Sequence, residues 1–287
     1  MENQKKYWDI TIDAAKKEVG FNLKDLIKYK DLLFLFVKRD FVANFKQTIL
    51  GPLWFVIQPL FQSLIIFFVF GKIAKFLPKS VDGMSFYLAG VTCWFFFSGN
   101  LTSTSMTFAQ NAKIFGKVYF PRLIAPLSLF FSGVLKLTVQ IALFLIVFIW
   151  AFIFKGKGDP NITILLTPLY FIHAGLLSMG LGLIISSLTT KYRDLKFLLQ
   201  FGVQLLMYMS TVPYSLKSIS DRGIFTEIVA YNPMSPIIEA TRYAFLGSEA
   251  GTLNLYYYSI SLIITILSLI IGVLVFNRVE KNFMDTV

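Results

Sequence analysis

The chain is short of almost everything that soluble enzymes use. Its 287 residues contain one cysteine and one histidine. A single thiol, Cys93 inside an apolar run, excludes a disulfide framework. His173 sits in apolar surroundings with no acidic or cysteine neighbour in sequence, which argues against a metal site or a triad and for a packed, hydrogen-bonded side chain. Acidic residues number 16, and Asp82, Asp159, Asp194, Asp221, Glu227, Glu239 and Glu249 all fall between the long apolar runs. A proton-coupled carrier would need carboxylates or histidines as relays inside those runs. No G-x-x-x-x-G-K-[ST] phosphate loop occurs, so any uphill work draws its energy from another polypeptide. No internal repeat argues for an inverted-repeat transporter. The first apolar run starts near residue 49, later than a cleavable signal peptide would, so the N-terminus is expected to be retained.

What is present is apolar. Hydrophobic residues make up 56% of the chain, aromatics 17% and charged residues only 15%. The mean hydropathy is +0.67. That is a membrane composition. The net charge of +11 would suggest nucleic acid in a soluble protein, but here the basic residues flank apolar runs, where they meet anionic headgroups.

The stretch Lys38–Gln62 marks the transition. It carries Lys38, Arg39, Asp40 and Lys46, and then no charge from Ile49 until Lys72. Gly51-Pro52 lies at the change, where proline suits the first turn of a helix because its missing N–H has no partner to lose. Before it, Leu26, Ile27, Leu33, Phe34, Val37, Phe41 and Phe45 recur with a near-helical period, which predicts an amphipathic helix at the membrane surface or, alternatively, packed on a partner. After it, six spans are expected: 50–70, 86–107, 127–154, 162–188, 195–212 and 256–276. Prolines 213, 233 and 236 break the apolar 214–255 stretch into two short helices, expected to be re-entrant between spans 5 and 6. The domain division is 1–48, cytoplasmic with its interface helix, and 49–287, an all-α six-span membrane domain. Eighteen Lys and Arg fall on one side of this topology and eight on the other, so both termini are expected in the cytoplasm.

Two features stay open in the sequence. Lys136 is the one charge inside an apolar run, either snorkelling toward the surface or meeting an anionic substrate within the protein. Gly175, Ser178, Gly182 and Ser186 form a small-residue face suited either to internal packing or to a dimer seam.

Four segments carry a resemblance: RDFVANFKQTILGPLWFVIQP (with IKYKDLLFLFVKRDF overlapping it), AQNAKIFGKVYFPRLIAPLS, KYRDL and YNPMSPIIEATRYAFLG. Together, and in this order, they resemble the ABC-2 type permeases that export polysaccharides, and most closely the O-antigen (lipopolysaccharide) branch. The resemblance implies a bacterial inner-membrane subunit that is not itself an enzyme. It implies a homodimer bound to two ABC ATPase subunits, which hold the ATP and Mg, so that this chain needs no cofactor. The implied cargo is an undecaprenyl-pyrophosphate-linked polysaccharide moved to the periplasm. A teichoic-acid, capsule or small-molecule exporter is the alternative within the class; a membrane-embedded glycosyl- or acyltransferase and a passive channel are alternatives outside it.

The resemblance also implies a coupling loop over 109–122, with Asn111, Lys113, Ile114, Phe115, Lys117, Tyr119, Phe120, Pro121 and Arg122 meeting the ATPase, and gate helices over 214–250. A glycan is too polar for lipid but offers C–H faces that aromatic rings can slide along. Trp54, Phe61, Trp94, Phe95, Phe96, Tyr208 and Tyr214 are the candidates for such a channel. Lys38, Arg39 and Lys46 are the candidates for the pyrophosphate, with Arg39 foremost because a guanidinium can grip phosphate with two hydrogen bonds.

Overall fold

The structure, a computed structural model, describes residues 27–43, 46–118, 120–192 and 194–283. All its regular elements are helical. Helix α1 (Lys30–Ala43) precedes the apolar body. A 3-10 turn (Gly51–Leu53), α2 (Trp54–Ile66) and a π-helical segment (Phe67–Ile73) then follow without interruption. Gly51 has φ +53°, which glycine adopts without strain, and Pro52 follows in the first turn. Next come α3 (Gly83–Ser105), the short α4 (Thr107–Phe115) and α5 (Ile124–Lys155). Helix α6 (Thr167–Thr189) and α7 (Leu195–Tyr208) precede the short α8 (Ile224–Tyr231) and α9 (Ser235–Leu246). The long α10 (Leu255–Phe283) closes the described chain.

Among the described residues, four stretches are long and apolar enough to cross a bilayer: Gly51–Ile73, Ile124–Lys155, Ile162–Thr189 and Leu255–Glu280. The protein is therefore an all-α, multi-pass membrane protein with four such helices, and the expectation of six is corrected. The expected second span forms α3, which has the length but carries Ser85, Thr92, Asn100, Thr102, Ser103, Thr104 and Ser105. Those residues are tolerable because α3 is the hub of the bundle and is buried along most of its length by α2, α5, α6 and α9. The expected fifth span forms α7, which has only 14 residues, about 21 Å at 1.5 Å per residue against a hydrocarbon core of about 30 Å. The two short helices of 214–255 are present as α8 and α9, but no re-entrant segment is identified among the described residues.

Helix α1 also departs from a simple amphipathic surface helix. It packs along α5 through Phe36, Leu32 and Leu33, yet Phe34 and Leu35 are exposed on another face. Apolar residues on both sides suit a helix held between protein and lipid. Leu26 and Phe45 of the expected stripe lie outside the described residues.

Long-range bonds assign each helix end to one of two ends of the bundle. At one end, Asp82 caps α3 by accepting from Ser85 N and Ser85 Oγ, both at 3.0 Å, and pairs with Lys155 at the end of α5 at 2.7 Å. Asn161 bonds the α9 carbonyls of Ala244 (3.1 Å) and Tyr243 (2.7 Å) there as well. At the other end, Thr189 Oγ1 donates to Ser105 O at 3.2 Å, and α1, α4, the start of α5 and the last turns of α10 gather. Burial pushes the Asp82 carboxyl up, but the hydrogen bonds from Lys155 and Ser85 outweigh it and hold it below the usual range.

The small-residue face of α6 is internal. A Cβ on Gly175 would meet the Phe130 and Phe96 rings at 2.5 and 3.0 Å, and one on Gly182 would meet Thr104 Cβ at 2.6 Å. The tightest crossing is between α6 and α10. A Cβ on Gly180 would lie 2.7 Å from Leu269 N, and one on Gly272 would lie 2.6 Å from Gly180 O. Here backbone meets backbone, so nothing flexible can yield. His173 bridges the same pair of helices, with Nε2 2.9 Å from Thr265 Oγ1 and 3.3 Å from Ser261 Oγ.

We expect Gly180→Val to lower the thermal unfolding midpoint of the purified protein, at a cost of about 1–3 kcal/mol for overpacking. Gly202→Ala, where an added Cβ meets nothing within 4 Å, is expected to be neutral or mildly stabilising. Equal midpoints for the two variants would refute the crossing as a point of close contact.

Candidate coupling and translocation sites

Helix α4 begins where α3 breaks at Met106 and ends in a turn at Gly116 and Lys117, and a second turn at Arg122 and Leu123 leads into α5. One side of this unit is a cluster of rings. Phe108 stacks on Phe276 at 4.5 Å, Phe115 meets Phe108 at 6.0 Å and Phe120 at 5.8 Å, and Phe120 meets Phe36 edge-on at 5.6 Å. The cluster welds α4 to α1 and α10. Arg122 lies over the Phe115 ring at 5.6 Å and reaches α10 through the backbone and side chain of Glu280. The sequence reading placed the aromatics outward. In the structure Phe115 and Phe120 are buried, Asn111 is buried, and Ile114, Pro121 and Arg122 are half-buried. Lys113, Lys117 and Val118 are exposed, Val118 by 59%. Tyr119 lies outside the described residues. Val118 was missed by the sequence reading, although it sits four residues beyond Ile114 beside exposed Gly116 and Lys117.

Arg39 is engaged on several sides. It pairs with Asp40 at 2.7 Å, donates to Asn111 Oδ1 on α4 at 3.3 Å, and its guanidinium lies 4.4 Å from the centre of the Phe36 ring. Asp40 in turn accepts from Ser128 on α5 at 3.0 Å. Arg39 thus ties together α1, α4 and α5 while staying exposed, as Lys38 and Lys46 are.

The channel candidates separate into groups. Trp94 and Phe96 lie in the core of the bundle, and Phe95 packs partly buried beside them. Trp54 and Phe61 are exposed on α2, and Phe68 in the π segment repeats them seven residues on. Helix α7 carries a matching exposed row of Phe197, Phe201 and Tyr208. Phe68, Phe197 and Phe201 were not singled out from sequence, though a seven-residue interval of rings was legible there. Tyr208 and Tyr214 do come together: Phe70 lies 6.3 Å from Tyr208 and 6.5 Å from Tyr214, Phe76 lies 5.8 Å from Tyr214, and the Tyr214 hydroxyl donates to Tyr208 O.

Above this ring cluster sits Arg242 of α9, fully buried. It donates to the carbonyls of Phe86 (3.1 Å), Tyr214 (3.1 Å), Val212 (2.8 Å) and Thr211, and lies 3.6 Å over the Phe86 ring. A Cβ on Gly90 would fall 2.5 Å from its Nη2, so glycine is required opposite it. Glu239, one turn earlier, is also fully buried and accepts from Leu216 N (3.2 Å), Thr252 N (3.0 Å) and Thr252 Oγ1 (3.2 Å). Burial pushes the Glu239 carboxyl up to about 7, against the opposing pull of Arg242 and these donors. Burial pushes Arg242 down to about 10. The sequence reading assigned neither residue a role.

Bundle, capped ends and exposed aromatic rows together define a multi-pass helical membrane protein. The chain belongs to the ABC-2 type transporter family, whose sequence profile matches residues 31–246. It is 28% identical over 256 residues to the O-antigen export system permease protein RfbA of Klebsiella pneumoniae, covering 89% of this chain and 94% of that protein. It is 21% identical over 225 residues to the RfbA of Myxococcus xanthus, covering 78% and 83% respectively. It is 23% identical over 260 residues to the polysialic acid transport protein KpsM of Escherichia coli, covering 89% and 95%.

The Glu239 environment makes a signed prediction. The folded carboxyl keeps its proton to about 7, while a free one releases it near 4.5. Its contribution to stability is therefore complete below about 4.5 and is lost as pH rises through about 7. Unfolding midpoints across that window are expected to fall more steeply for the wild type than for Glu239→Gln; parallel curves would refute it. Arg242→Lys is expected to destabilise by several kcal/mol, since one ammonium cannot serve four carbonyls set around a planar guanidinium.

Proposed function

We propose that the chain is the permease subunit of an ATP-driven exporter that moves a lipid-linked polysaccharide of the O-antigen kind from the cytoplasm to the periplasm. The observation that carries this reading is the near-full-length match, over 89% of this chain, to an O-antigen export permease. The lack of a phosphate loop in the sequence supports assigning ATP hydrolysis to a separate subunit.

Helix α4 and the two turns that follow it serve as the coupling element. The buried rings make it rigid and tie it to α1, α5 and α10. The exposed Lys113, Lys117 and Val118 form the surface that meets the ATPase. A push on that surface is passed on through side chains packed too closely to absorb it. The end bearing α1 and α4 faces the cytoplasm, where most of the flanking basic residues lie.

The exposed aromatic rows of α2 and α7 supply the wall along which the glycan slides, facing the same rows of a second copy. Trp54, Phe61 and Tyr208 keep their channel role on this reading, joined by Phe68, Phe197 and Phe201. Trp94 and Phe96 support the wall from behind. Lys38 and Lys46 receive the pyrophosphate at the surface. The capsule reading rests on the KpsM relative at 23% identity, and loss of a defined surface polymer on gene deletion separates the two cargoes.

The test is co-purification with the ATPase encoded alongside it, followed by hydrolysis assays in lipid with and without lipid-linked glycan. Glycan-stimulated hydrolysis by a stable complex is expected. Val118→Asp is expected to abolish the complex while leaving the unfolding midpoint unchanged, because the side chain is exposed. Phe115→Ala is expected to lower the midpoint as well, by about 3–5 kcal/mol of lost packing. A protein that never captures an ATPase, or a Val118→Asp variant that couples normally, would sink the coupling assignment.

A further inference from the structure

A polar cavity of about 50 Å³ lies between α3 and α5, inside the apolar body of the molecule. It shares only Phe95 and Phe96 with the sites described above. On α5 it is bounded by Gly133, Lys136 and Gln140, spaced so that all three share one helix face. On α3 it is bounded by Asn100 and Ser103, with Phe95 and Phe96 as apolar wall.

The charge of this lining is one-sided, and it is rich in donors. Lys136 brings three N–H donors, the Asn100 and Gln140 amides bring two each, and Ser103 brings a hydroxyl. Among the described residues no Asp or Glu lines the cavity. Asn100 is only 3% exposed, and its Nδ2 has no hydrogen-bond partner. An unpartnered buried amide costs about 1–3 kcal/mol, so an occupant that accepts from it is favoured. Gly133 makes the placement possible, since a Cβ there would fall 2.1 Å from Asn100 Oδ1.

Lys136 makes no ion pair among the described residues, although it stands within an apolar helix. The carboxylate whose field reaches it is Asp40, which is bound at short range by Arg39 and Ser128. The Lys136 ammonium lies 5.8 Å from the centre of the Phe55 ring, in the first turn of α2. That is the level at which the first apolar stretch begins, and hence the level of lipid phosphates. The length of α5 agrees. Its 32 residues span about 48 Å, well beyond a hydrocarbon core of about 30 Å, so a residue twelve positions in can stand at the boundary. Gly99 is exposed and Ser103 half-exposed, which leaves the cavity a mouth.

We infer that this cavity binds the phosphate of a membrane lipid, with Lys136 as the counter-charge and Asn100 and Gln140 as hydrogen-bond donors to its oxygens. A cavity of this size holds a phosphate's oxygens or a few waters, but not a sugar ring. The phosphate belongs either to a bilayer phospholipid or to a polyprenyl carrier. The site itself does not rest on the export reading.

The experiment is native mass spectrometry of the purified full chain with two matched pairs of lipids. One pair is phosphatidylglycerol and diacylglycerol; the other is undecaprenyl phosphate and undecaprenol. In at least one pair the phosphate-bearing member is expected to bind about tenfold or more tightly than its phosphate-free counterpart. Lys136→Gln is expected to remove that preference and Lys136→Arg to keep it. Ser103→Glu, at the half-exposed mouth, is expected to remove it by repulsion without touching the core lysine. A preference confined to the first pair identifies a structural phospholipid site. One confined to the second identifies a carrier site and extends the export reading. No preference in either pair, or a preference that survives both Lys136→Gln and Ser103→Glu, overturns the inference.

Discussion

The guanidinium of Arg242 is the constraint around which one end of the molecule is built. Its four carbonyl acceptors come from α3 and from the segment that follows α7, while the arginine itself belongs to α9. Three of these carbonyls, those of Thr211, Val212 and Tyr214, belong to irregular chain, whereas Phe86 lies in the first turn of α3, where the helix ladder already offers its carbonyl a donor and Arg242 supplies a second. Irregular backbone buried in an apolar bundle is costly unless something donates to it. One planar five-donor side chain meets that need, and Glu239 does the converse for the free N–H groups of Leu216 and Thr252. The two thus work less as a salt bridge than as two fillers of backbone valence, the carboxyl holding its proton up to about 7.

The opposite end is held by different means. There the joint is made by rings, Phe36, Phe108, Phe115, Phe120 and Phe276, rimmed by Arg39 and Arg122. Aromatic edge-to-face packing is specific in geometry but needs no buried charge, so this end can sit near water without a desolvation cost. The two ends communicate through α3, which touches both, and through α6 and α10, whose glycine crossing fixes their spacing.

Much of this was legible in the sequence, and the failures have physical causes. The membrane class, the helical content and the transition at Gly51-Pro52 follow from charge-free runs and glycine-proline chemistry, which are local. The small-residue face of α6 was visible, but its partner was not, because spacing names a face and not what meets it. The span count failed at α3 and α7. A hub helix wrapped by protein can carry polar residues that a lipid-facing helix would not, and a short apolar helix reads like part of a longer one when irregular apolar chain follows it. The rings of the 109–122 loop were expected to face an ATPase, and the structure turns Phe115 and Phe120 inward. Periodicity over nine residues cannot distinguish an aromatic face turned to a partner from one turned to the chain's own α10, 160 residues away. Arg242 and Glu239 escaped notice because they stand in a connection between apolar runs, where charge is ordinary.

The uneven burial of the helices has a mechanical consequence. Helices α3 and α6 are buried over most of their surface and locked together with α10 by backbone contact, so they form a stiff slab with little room to strain. Helix α7 buries only Met207, and α2 only Pro59, Ser63 and Ile66. These two are attached like rods laid against a plate, bonded along one edge. Elastic compliance in such a body is not shared equally. It concentrates in the rods, so thermal fluctuation is largest in the helices that carry the exposed rings and smallest in the slab behind them.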